Sequence, residues 1–177
     1  MEVPARSVVV SGMLKIEKIH ADHRLEKKLR EIAYIRVQVN VGVLNGATYD
    51  DGTSVAMVAY KNETGGDKNP KRPFLRRTLK KNQRKWVRGI VANVRGLGIN
   101  RASVLRAYKL CGMVAAGDVK RTIRKWPVND PRRNSQKTIR MKEERAREGK
   151  GMQKINPEQP LIDTGTMLEN ITYEVKG

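Results

Sequence analysis

Hydrophobic and polar residues alternate most regularly between Ile35 and Leu44, where Ile35, Val37, Val39, Val41 and Val43 share one side at a period of two. That period turns one face of a β-strand toward a core. Ile171, Tyr173 and Val175 repeat it near the end of the chain, and Val8 to Val10 form the centre of a short β-prone stretch between Ser7 and Met13. Elsewhere the spacing changes to three and four. Val55, Val58, Ala59 and Asn62 follow Ser54, which suits a helix cap. Leu75, Leu79, Trp86, Ile90 and Val94 follow Pro73, a residue suited to a first helical turn. After the Gly96-Leu97-Gly98 break, Asn100 can cap a helix carrying Val104, Tyr108, Cys111, Ala115, Val119, Ile123 and Trp126. A stripe of that length predicts a rod of about 35 Å. Gly112 and Gly117 lie inside it, where each marks close packing or a kink.

Weaker periodicities predict helices from Asp22 to Glu31 and from Thr138 to Glu148, the second with only Ile139 and Met141 to bury. Thr166 and Glu169 have the spacing of a capping box, and Asp163 and Thr164 offer further caps, ahead of a small apolar face of Met167, Leu168 and Ile171. The expected fold is therefore α+β: a small, mostly antiparallel sheet packed against two long helices, with extended basic loops. Residues 1–34 form an N-terminal strand and helix element, 35–128 together with 160–177 a single core domain, and 129–159 a basic, partly mobile insertion.

Charge changes this picture more than composition does. The 177 residues are 38% hydrophobic but only 5% aromatic, so the core must rest on aliphatic residues, with Tyr60, Phe74, Trp86 and Trp126 as bulky exceptions. Net charge is +19, and it is concentrated. Lys71 to Lys150 holds 25 Lys and Arg against 5 Asp and Glu, leaving the remainder near neutrality. Such a surplus points to a polyanionic partner, either nucleic acid or an acidic protein. The single cysteine, Cys111, excludes an intramolecular disulfide and sits in an apolar stripe as a buried thiol. No apolar run is long enough for a membrane span, and no membrane partner is expected.

The residue order also carries a resemblance. Val41-Gly42-Val43-Leu44 is followed by Ala59-Tyr60-Lys61-Asn62-Glu63, then Pro73-Phe74-Leu75-Arg76, then Pro160-Leu161-Ile162-Asp163-Thr164-Gly165. The series resembles phage neck and tail-completion proteins, including the Mu-like virion morphogenesis family, over roughly Arg36 to Val175. There a strand ends in V-G-V/I, a helix carries an A-x-x-N-E-like segment, an R-P-F-L-R motif opens a long helix, and "PLIDTG" stands near the C-terminus. The resemblance implies a virion protein made in the host cytoplasm and placed at the head-tail junction. It would act by assembly, with no reaction and no cofactor. Its partners would be copies of itself in a sixfold or twelvefold ring, the head connector, and tail-terminator or tail-tube proteins, with transient contact to genomic DNA. Asn62, Pro73, Phe74, Leu75, Pro160, Leu161, Asp163, Thr164 and Gly165 are the structural motif positions under this reading. Residues 142–154 look like an expansion relative to the family.

Candidate chemistry is sparse. His20, Asp22 and His23 form the one His/carboxylate cluster, too few ligands for a metal site, so no metal is expected. Asp163-Thr164-Gly165 matches the aspartic protease triplet but lacks the second copy that such an enzyme needs. The residues 64–71 contain no glycine pattern between strand and helix, as a phosphate cradle requires. What remains is a surface. Arg76, Arg77, Lys80, Lys81, Arg84 and Arg88 recur at helical spacing, and with Arg132, Arg133 and Arg140 they form the expected assembly interface. An acidic protein partner is favoured there over DNA, because a neck component gripping many phosphates would hinder ejection. The loop Thr64 to Lys71 and the stretch Asn129 to Gln159 are expected to reach adjacent subunits. The competing reading is a basic nucleic-acid-binding protein, against which stands the shortage of aromatic stacking platforms.

Overall fold

The computed structural model describes residues 8–10, 27, 36–44, 46–66, 69–98, 100–149 and 156–177. The fold is α+β. Strands β1 (Val8–Val10), β2 (Gln38–Val43) and β3 (Ile171–Lys176) form one antiparallel sheet in the order β1-β2-β3, so the central strand is the one with the strongest alternation. Its register on β3 places Val39 opposite Val175, Val41 opposite Tyr173 and Val43 opposite Ile171. Side chains of one parity therefore share the core face. Asn40 occupies the other face, buried all the same, and donates to Glu174 Oε1 at 2.7 Å across the strand pair.

Five helices complete the described structure: α1 (Val55–Thr64), α2 (Phe74–Leu97), α3 (Arg101–Arg124), α4 (Gln136–Arg147) and the single turn α5 (Thr166–Glu169). The caps of the first and third follow the sequence. Ser54 Oγ accepts from Met57 N–H at 3.4 Å, and Asn100 Oδ1 accepts from Ser103 N–H at 2.9 Å. Helix α3 lies against β2 and β3, and α2 packs along α3. The pairings Thr78 with Thr122 and Trp86 with Asp118 fix that helix pair as antiparallel.

Gly112 explains why α3 sits so close to the sheet. A Cβ there would stand 2.3 Å from the Tyr173 ring, so no larger residue fits the present packing. Gly117, one and a half turns further on, has open space beside it and serves no such contact. Of the stripe read from the sequence, Val104, Cys111, Ala115, Val119, Ile123 and Trp126 are buried and Tyr108 is partly covered, but α3 ends at Arg124, so Trp126 packs from the turn beyond it. Burial also pushes the Cys111 thiol pKa up, away from reactive thiolate.

Three expectations need correction. On α2 the fully buried positions are Phe74, Thr78 and Trp86, with Leu75, Leu79 and Ile90 only partly covered. Thr78 enters the core because its hydroxyl bonds both Phe74 O and Thr122 Oγ1, each at 2.7 Å, which removes the desolvation cost that hydropathy counts against it. At the C-terminal turn, Thr166 begins α5 and does not cap it; the cap position is Gly165 at φ 90°, with no side-chain capping bond, so no capping box forms. Asp163 is not a cap either, since its carboxylate is taken by Arg145. The expected helix over Asp22 to Glu31 and the cluster of His20, Asp22 and His23 lie outside the described residues, apart from Lys27.

Candidate functional site

Two motif segments meet at the start of α2. Helix α2 opens with Arg76 and Arg77 and no acidic residue in its first turn, an arrangement that opposes the helix dipole. Glu63, at the end of α1, supplies what is missing. Its carboxylate accepts from Leu75 N–H at 2.8 Å and Arg76 N–H at 3.1 Å, and also from Arg76 Nε at 3.0 Å. Asn62 beside it faces the Arg72 guanidinium at 3.5 Å. Adjacent residues of α1 thus receive the two arginines of the Arg72 to Arg76 segment.

Arg72 was not among the expected site residues, yet it is a hub. It is buried, and its guanidinium donates to Arg132 O at 2.6 Å, Arg133 O at 3.1 Å and Asn134 Oδ1 at 3.3 Å. Burial lowers its pKa from the ordinary arginine value, but the fork of hydrogen bonds satisfies the charge in place. Asn134 continues the network by donating to Pro157 O at 3.1 Å and Gln159 O at 3.2 Å. Gln159 in turn donates to Trp126 O at 2.9 Å, beyond the end of α3.

The third motif segment closes the group. Leu161 is buried with φ 66°, a left-handed conformation that costs free energy for a branched side chain. Lys142 of α4 holds the turn by donating to Gln159 O and Ile162 O, the carbonyls on either side of the Pro160–Leu161 step. Burial lowers the Lys142 pKa to about 8, against the attraction of Asp163. Arg145, one turn later, pairs with Asp163. Helix α4 has no buried residue of its own, so these polar links account for its position on the core. The stretch expected to be a basic insertion therefore carries the lysine that clamps the "PLIDTG" turn.

These elements surround a cleft of about 460 Å³. Asn62, Arg72, Asn134, Lys142 and Leu161 to Gly165 contribute to its wall, together with Tyr49, Asp50 and Asp51. Burial first, then the Asp163 and Asp51 charges, raise the Tyr49 pKa. Three segments separate in the sequence, at Asn62, Arg72 and Leu161 to Gly165, thus line one cleft. Asn62, Arg72, Lys142 and Asn134 have their polar groups engaged within the protein, so the wall is knitted by its own contacts.

The expected interface residues divide into two groups. Arg76 is 56% exposed at its side chain but bound to Glu63; Arg77 and Arg132 lie 5.0 and 5.5 Å from the centroid of the buried Trp126 ring, and Arg132 also pairs with Asp130 at 2.6 Å. Those three stabilise the molecule itself. Lys80, Lys81, Arg84 and Arg88 are exposed, as are Arg133 and Arg140, and they make no ion pair among the described residues. Lys85 is claimed from within: Asp118, 4% exposed, accepts from Lys85 Nζ at 2.9 Å, Trp86 Nε1 at 2.8 Å and Arg121 Nη1 at 3.1 Å. Burial alone would raise the Asp118 pKa; the Lys85 and Trp86 hydrogen bonds with the nearby charges outweigh it and hold the carboxyl below its ordinary value. Like charges four residues apart along α2 repel, each pair costing about 0.2–0.5 kcal/mol at an exposed site.

The residues that sequence reasoning missed, Glu63, Arg72, Asn134, Lys142 and Asp118, are polar and buried or part-buried. The sequence gives little sign of the Glu63 role, because Glu63 ends α1 and reaches the first turn of α2 only through the intervening loop. Among the described residues no helix is long and apolar enough to cross a membrane. No family model, curated protein or solved structure matches the chain.

Proposed function

We propose that this chain is a structural virion protein of a tailed phage, a neck or tail-completion component whose copies form a ring at the head-tail junction and join tail to head. The observation that carries the reading is the convergence of three separately placed segments on one cleft, whose wall includes Asn62, Arg72 and Leu161 to Gly165. Residues that resemble a family signature by order alone could fall anywhere in a fold. Here Asn62 and Glu63 hold Arg72 and Arg76, and Arg72 reaches the Pro160 to Gly165 turn through Asn134, which supports a common scaffold.

A ring needs a different face on each side of the subunit, because a head-to-tail contact closes only when two unlike surfaces fit. The cleft, where Asp50, Asp51 and Asp163 stand with Arg72, Lys142 and Arg145, gives the subunit one concave side of mixed charge. Sixfold or twelvefold closure, with the head connector on one side and tail-terminator or tail-tube proteins on the other, is what the family resemblance implies. The work done is assembly, with no chemical step.

Electron microscopy of lysates from a phage or prophage deleted for this chain tests the proposal. Packaged heads beside separate tails of normal length are expected. Intact infectious virions would overturn the reading, and the cationic surface would then be pursued as a nucleic-acid site.

A further inference from the structure

We infer that the outer face of α2 docks an acidic amphipathic helix from another protein, and that nucleic acid is not its proper ligand. The inference stands apart from the neck reading, since it rests on one helix face. Helix α2 contains eight Lys and Arg and no Asp or Glu. Arg76, Arg77 and Lys85 are engaged within the protein, which leaves Lys80, Lys81, Arg84, Arg88 and Arg95 exposed. Val87 and Val91 stand among them, 49% and 41% exposed, one turn apart. Leu97 ends the same helix at 45%, and Met113 and Val114 are exposed on the neighbouring α3.

The apolar pair decides between the two kinds of polyanion. A phosphate backbone neutralises cations but offers nothing that covers valine side chains, whereas a protein interface characteristically has an apolar centre within a polar rim. Two residues four apart form a ridge suited to the groove of another helix, whose own acidic flanks would meet the arginines. Among the described residues, charge excludes α1, α3 and α4 of a second copy as the occupant, and α5 is a single turn, too short to fill the role. Helix α3 has six Lys and Arg against one Asp, α4 has five against two Glu, and the lone acid of α1, Glu63, is buried in its own contacts. No described helix of this chain meets the requirement, and the inference assigns the role to a different chain.

The test uses the full chain and three probes of similar charge. One is a helical peptide with leucines at four- and three-residue spacing among glutamates; the second has the same composition with the spacing scrambled; the third is a short DNA duplex. Affinities are measured by fluorescence anisotropy from low to moderate salt. The periodic peptide should bind about tenfold more tightly than the scrambled one, and Val87→Ala with Val91→Ala should remove that advantage while leaving the scrambled peptide unaffected. Alanine favours helix, so the double variant keeps its fold, which circular dichroism checks. Equal binding of both peptides, no binding of the periodic peptide, or duplex binding tighter than either peptide at moderate salt would overturn the inference. Lys80→Glu with Arg84→Glu should abolish binding of all three probes, and persistence of peptide binding in that variant would place the contact elsewhere.

Discussion

The Glu63 carboxylate lies 3.0 Å from Arg76 Nε and also accepts the backbone N–H groups of Leu75 and Arg76, so one side chain of α1 caps α2 and neutralises its opening charge. Glu63 is almost covered, with 10% of its side chain exposed against 56% for Arg76. The two partners should therefore respond unequally to mutation.

Glu63→Ala removes a buried cap and is expected to cost about 2–3 kcal/mol in urea denaturation. Arg76→Ala removes an exposed partner and should cost less than about 1 kcal/mol. Equal losses would show that the ion pair, and not the cap, dominates.

Arg72→Lys keeps the charge but cannot span the carbonyls of Arg132 and Arg133 and the Asn134 amide together. We expect a loss of about 2–4 kcal/mol and faster hydrogen exchange at the amides of residues 132–135. Exchange unchanged from wild type would show that the turn is held by other contacts.

The two glycines of α3 should respond with opposite signs. Gly117→Ala meets open space and gains helix propensity, so stability should rise by up to about 1 kcal/mol. Gly112→Ala drives a methyl into the Tyr173 ring, and a net loss of about 1–3 kcal/mol is expected. Chemical denaturation of the two variants side by side checks both.

Asp118 and Lys142 predict opposite pH effects. The Asp118 pKa is lowered in the fold, so its stabilisation is present above the unfolded carboxylate value of about 3.9 and is lost as pH falls through the folded value. Asp118→Asn should be less stable than wild type at pH 7, with the difference narrowing below about pH 4. Lys142 has a folded pKa of about 8, below its unfolded value, so the unfolded chain binds more protons between the two and stability rises with pH there. Wild type should therefore gain on Lys142→Met between about pH 8 and pH 10. A difference that shrinks over that range would mean the ammonium is not desolvated by its surroundings.

Periodicity made most of the scaffold legible. The valines of β2, the α3 stripe from Val104 to Ile123 and the caps Ser54 and Asn100 are all local patterns, and each is found where local pattern put it. What sequence could not show were polar residues whose burial depends on distant partners. Thr78 needs Thr122, Arg72 needs the turn at Asn134, and Lys142 needs the carbonyls around Leu161. A hydropathy pattern counts such residues as surface. In the Asp163 to Glu169 stretch the helix start at Thr166 is found and Thr164 Oγ1 accepts from Thr166 N–H at 3.4 Å, but no capping box forms, because Gly165 holds the cap position, and Arg145 takes the Asp163 carboxylate.

The order of the sheet has a consequence for biosynthesis. Its central strand leaves the ribosome early, but the partner on one edge is encoded far downstream, with the Asn40–Glu174 contact spanning 134 positions. Pairing across so long a separation raises contact order and slows folding. While translation proceeds, the β3-facing edge of β2 is an open template for pairing with another chain. Ribosomes crowded on one message would hold many such edges close together, and a chaperone that shields extended segments would have its greatest effect on yield in that interval.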